Sequence, residues 1–115
     1  MILEEGDKVL AALRRRFGDE YARFFIGMVE VAVDGVVRVV GRVWVWDPHR
    51  QNVVPREGLR RKLISLASNQ FILHVLDRDE DLEALNFSTD SNGKIWLVRG
   101  ETPYFEMSER ALTTR

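Results

Sequence analysis

Apolar positions are densest between residues 24 and 46, where two valine-rich runs flank Asp34-Gly35. Asp-Gly between β-branched runs predicts a two-residue type I′ turn, because both central positions need positive φ and these two residues tolerate it. That turn sets a register in which Val33 faces Val36, Val31 faces Arg38, Val29 faces Val40, Gly27 faces Arg42 and Phe25 faces Trp44. One face of the hairpin then carries Phe24, Ile26, Met28, Glu30 and Ala32 against Val45, Val43, Gly41, Val39 and Val37, and reads as core. The other face is also apolar but holds Arg38, Arg42, Trp44 and Trp46, so it requires a cover: another layer, a partner chain or a ligand.

Elsewhere the spacing changes. Val9, Leu10, Leu13 and Phe17 recur at helical intervals after Asp7 and before Gly18, which predicts a helix over residues 7–17 with Arg14-Arg15-Arg16 in its last turn. Leu59, Leu63, Leu66 and Ala67 predict a second amphipathic helix over residues 56–68. Residues 71–76 are a short apolar run with the look of a buried strand. Leu85, Phe87 and Thr89 alternate with polar residues, and Asn92-Gly93 predicts a second type I′ hairpin in which Thr89 faces Trp96 and Phe87 faces Val98. The segment from Thr102 fits either a strand or a helix. The expected fold is α+β: an antiparallel sheet of about five strands with two or three helices on one face, in the order α-β-β-(β)-α-β-β-β-(α). This order of elements is similar to that of the small dimeric α+β chaperones of bacterial secretion systems, a likeness of element order alone.

Composition narrows the setting. A chain of 115 residues with 45% hydrophobic content is expected to form one domain able to bury about two thirds of the surface of its unfolded chain. With no cysteine, disulfides, a thiolate nucleophile and a thiolate zinc site are excluded. No run approaches the length of a membrane span, so a cytoplasmic protein without membrane contact is expected. The formal charge of −1 gives no global field for nucleic acid. Arg outnumbers Lys 14 to 3, a skew that fits either genome base composition or heat adaptation.

Several residue groups could carry chemistry. Asp77, Asp79 and Asp81 alternate as in the start of a calcium loop, but Leu82 and Ser88 stand where that loop needs Gly and a bidentate Glu, so no metal is expected. Asp47-Pro48-His49 can bring a carboxylate near an imidazole, and His74 sits in an apolar strand. A strand ending at Trp46, a loop, and Pro55-Arg56-Glu57-Gly58 entering the second helix resemble the pyrophosphate-binding segment of acyl-CoA-dependent N-acetyltransferases. That resemblance implies phosphate binding at Arg56 and Gly58, although the family's second spaced glycine is missing. Arg56, Arg60, Arg61 and Lys62 on the helix, with Arg38, Arg42, Trp44 and Trp46 on the hairpin, offer charge and stacking surface to nucleic acid. The reading that uses most of these features is a cofactor-free, homodimeric adaptor or chaperone-like binding domain. Its interaction residues are Phe25, Arg38, Arg42, Trp44 and Trp46, with an acetyltransferase-like enzyme and a nucleic-acid-binding domain as alternatives.

Overall fold

The computed structural model describes residues 3–13 and 21–107. They form nine strands and one 3-10 turn: β1 (Lys8–Leu13), β2 (Arg23–Val33), β3 (Val36–Asp47), β4 (Asn52–Pro55), β5 (Arg60–Ser65), β6 (Phe71–Leu76), the turn Leu82–Ala84, β7 (Leu85–Thr89), β8 (Ile95–Arg99) and β9 (Thr102–Glu106). The α+β expectation is therefore wrong. The described fold is nearly all-β, built from two antiparallel sheets, with no α-helix among the described residues.

Both expected helices are strands, for different reasons. β1 lies between β2 and β6, with Val9 on one face and Leu10 on the other, both fully buried. A strand covered on both faces shows no alternation, and its unbroken apolar run mimicked helical spacing. Arg14-Arg15-Arg16 and the predicted helix end at Gly18 lie outside the described residues. β5 misled in the opposite way. Leu59 and Leu63 of the expected buried stripe are exposed, and only Ile64 of β5 is buried. Pairing with β3 decided the outcome against local propensity.

The first sheet runs β5-β3-β2-β1-β6, and β4 takes the place beside the far half of β3. This sheet cannot be flat. Ser65 lies level with Val36 at the hairpin tip, whereas Phe71 lies level with Leu13, near the Arg23–Val45 end. In a flat sheet those positions would be roughly 30 Å apart along the strands and about 19 Å across them. The five residues 66–70 span at most about 21 Å. The sheet therefore coils, and its concave side encloses a core in which Val37 and Ile64 meet Phe71 and Leu73 from the far end of the strand path.

Two glycines permit the bend. Gly27 pairs directly with Gly41, and a Cβ at Gly27 would lie 2.2 Å from the Val40 carbonyl oxygen, one at Gly41 2.0 Å from that of Ile26. No side chain fits between strands this close. The hairpin register holds as predicted from Val33–Val36 to Val31–Arg38, with Asp34 at φ 50° and Gly35 at φ 78° as the I′ turn requires. Below it, a bulge at Glu30 shifts the register by one, so Phe25 faces Val43 and Phe24 faces Trp44. The slip reverses the faces of β2, sending Phe25 to the concave core.

The second sheet, β7-β8-β9, packs on the convex side of the first over Phe24, Ile26, Trp44 and Leu10. Phe87 stacks on Phe24 at 4.8 Å and meets Trp44 edge-on at 5.2 Å. Asn52 ties the sheets together: its side-chain amide donates to the Phe87 carbonyl (3.0 Å), and its oxygen accepts from the Thr89 hydroxyl (2.9 Å). The second hairpin also sits one residue out of the expected register, with Phe87 facing Leu97 and Thr89 facing Ile95. Its loop is longer than two residues because Asp90 organises it. One carboxylate oxygen accepts from the Asn92 and Lys94 amides, the other from the Trp96 indole, and Gly93 takes positive φ.

Candidate binding surfaces

The five residues expected to share one interaction face are divided by the coiled sheet. Trp44 is 7% exposed and lies under the second sheet, while Phe25 is buried on the concave side. Trp46 is half-buried against the same core as Trp44. Arg38 is exposed and donates from Nε to Glu30 at 3.0 Å. Arg42 remains on the convex face of β3, partly buried, with no hydrogen-bond or ion-pair partner among the described residues. The cover that the hairpin's second face required is thus supplied in part by the chain itself.

That cover ends halfway along the hairpin. Beyond Val40 the convex face carries Val31, Val33 and Val36 with Leu63 of β5, all exposed, at 38, 56, 39 and 73%. Glu30, the bulge residue, sits beside them and accepts from both Arg38 and Arg61. The Arg61 hydrogen bond, with the charges of both arginines, holds the Glu30 carboxyl below its ordinary value of 4.5. The bulge thus fixes a small ion-pair network at the border of an aliphatic surface.

Between the two regions lies a groove of about 570 Å³. Its floor is Ile26, Met28, Val40 and Trp44 from the first sheet, and its far wall is the segment around the 3-10 turn, with Leu82, Glu83 and Asn86. That wall is held by a buried carboxylate. Glu80 is 7% exposed and takes a two-pronged contact from Arg99, with Nε at 3.0 Å from one oxygen and Nη2 at 2.8 Å from the other. The Arg99 guanidinium also lies 3.7 Å from the centre of the Tyr104 ring. Hydrogen bonding to Glu80 raises the Arg99 pKa. Lys8 adds a bond from its ammonium to the Glu80 carbonyl, joining β1 to the same segment. Nothing in the residue pattern singled out Glu80 among five consecutive charged residues. Only its partner on β8, nineteen positions on, distinguishes it.

The remaining candidates are scattered. Arg56 and Gly58 stand in the turn between β4 and β5, so no helix N-terminus presents free amides there. The Arg56 N–H instead donates to the Val43 carbonyl (2.8 Å), and Gly58 takes φ 84° with open space around it. His49 is exposed, and its backbone N–H, not its imidazole, bonds Asp47 (2.9 Å). His74 is half-buried on β6 with its ring against Phe105. Asp77 pairs with Arg99, and Asp81 caps the 3-10 turn through the Glu83 amide. Among the described residues no three His, Asp or Glu side chains converge as a metal set, and no helix is long and apolar enough to cross a membrane. Comparison with protein-family models, with curated proteins and with solved structures finds no match.

Proposed function

We propose that this chain is a binding domain without chemistry of its own, and that it self-associates through the distal convex face of the first hairpin. The observation that carries the reading is the aliphatic surface of Val31, Val33, Val36 and Leu63, which the second sheet leaves uncovered. A second copy is the occupant favoured by charge. Residues 36–65 hold seven Lys or Arg against two Asp or Glu, and residues 77–90 hold one against six, so two lobes of opposite sign sit in a chain of net charge −1. A two-fold pair can set each basic lobe against the partner's acidic one, as an isologous interface allows.

The interface lacks the aromatic anchors that dominate tight complexes, because Phe25 and Trp44 are inside. A dissociation constant of about 10 μM is therefore expected, weakening as salt rises. Sedimentation over a dilution series tests this. Leu63→Glu, at a position already 73% exposed, should give a monomer with unchanged unfolding. A wild-type protein that stays monomeric at about 1 mM, roughly a hundred times that constant, would eliminate the self-association reading.

A further inference from the structure

The groove holds two opposite charges that do not meet. Arg42 projects from β3 on one wall and Glu83 from the 3-10 turn on the other, and neither has a side-chain partner among the described residues. The other charged side chains around it all make hydrogen bonds, although only Glu80 meets an opposite charge. The Glu80 carboxylate is held by Arg99, Asp81 accepts the Glu83 amide, and Lys8 donates to the Glu80 carbonyl. Between the two unpaired groups the floor is apolar, formed by Ile26, Met28, Val40 and Trp44, with Leu59 and Leu82 at the rims.

A partly buried guanidinium on an apolar floor is costly to leave unpaired, and a carboxylate is the group that satisfies it best. A simple fatty anion would bring its charge into a groove whose opposite wall is negative. The ligand that matches both walls carries a carboxylate for Arg42, an ammonium for Glu83 and an apolar body between them. We propose that the groove binds an apolar zwitterion of dipeptide size. The volume fits the range of small-ligand sites. A groove of this volume favours a dipeptide over a single amino acid.

Calorimetric titration of the full chain with dileucine, N-acetyl-dileucine, dileucine amide and leucine tests this without needing a variant. Dileucine should bind about tenfold tighter than its amide, which lacks the carboxylate for the half-buried Arg42. It should bind about threefold tighter than the N-acetyl form, which lacks the ammonium for the exposed Glu83. Arg42→Gln should erase the first preference and Glu83→Gln the second, each leaving the other in place. Leucine binding as tightly as dileucine would keep the zwitterion and identify a free amino acid as its source. The same titration on Leu63→Glu separates this site from the self-association face, since binding there should be retained. Equal affinity for the three dileucine forms, or no heat with any of them at about 10 mM, would overturn the proposal.

Discussion

The two halves of the first hairpin are both mostly apolar and have opposite fates. From Phe24 to Gly27, opposite Gly41 to Trp44, the strands are buried on both faces, by the concave core and by the second sheet. From Val31 to Val33, opposite Val36 to Arg38, apolar residues are at least as frequent but only the concave face is covered. Val37 and Val39 are fully buried while Val33 and Val36 stand in solvent. Hydrophobic content therefore does not locate the core of this sheet. What locates it is where the second sheet stops and where the bulge at Glu30 changes which face each residue of β2 presents.

The largest expected break in this contrast is Trp44→Ala. The ring is boxed between the first sheet and Phe87, so its loss leaves a cavity that costs about 3 to 5 kcal/mol in urea unfolding. Self-association should not change beyond the loss of folded protein. Weaker dimerisation by a protein of undiminished stability would mean that Trp44 faces a partner and that the second sheet does not cover it.

Gly41→Ala comes next, at about 3 kcal/mol, because the added methyl would collide with backbone at the point where the strands bend. Thermal unfolding of Gly41→Ala beside Gly35→Ala separates two roles for glycine. Gly35 has open space around it and needs only its positive φ, so its substitution should cost about 1 kcal/mol.

These positions also mark how far the sequence could be read. The Asp34-Gly35 turn, the hairpin, the strand at 71–76 and the existence of a second hairpin were legible because turn chemistry and β-branched runs are local signals. β1 and β5 were not. β1 is covered on two faces, and β5 is an edge strand with a single buried side chain, so neither shows the alternation that marks a half-buried strand. The bulge was invisible for a related reason: Glu30 is fixed by Arg61, thirty-one positions away, and no local rule places it. Of the candidate site, Arg42 could be chosen from the sequence as a charge on an apolar strand. Glu83 and the Glu80–Arg99 clasp that holds the groove's wall depend on the second sheet docking on the first.

A pair of valine substitutions tests the contrast within one strand pair. Val39→Ala removes methyls from a site with no exposure and should cost about 2 kcal/mol. Val33→Thr, on the open face, should stay within about 0.5 kcal/mol of wild type while weakening self-association. Equal costs at the two sites in chemical denaturation would show that the distal face is covered in solution.

The smallest effect concerns the bulge that divides the halves. The Glu30 carboxyl is held below 4.5 by its hydrogen bond from Arg61 and by the charges of Arg61 and Arg38. A carboxyl whose folded pKa lies below its unfolded one stabilises the fold at pH values above the unfolded pKa. That contribution disappears as pH falls through the folded value, where both states take up the proton. Glu30→Gln should therefore unfold at slightly lower urea than wild type at pH 7, by no more than an exposed ion-pair network supplies. The difference should begin to shrink near pH 4.5 and vanish in more acidic solution. Raised salt at pH 7 should shrink it too, because both arginines are exposed. A Glu30→Gln deficit that is the same at pH 7 and in acid would mean that the carboxylate's charge does not hold the bulge, and that the close approach of Gly27 and Gly41 alone sets the register below it.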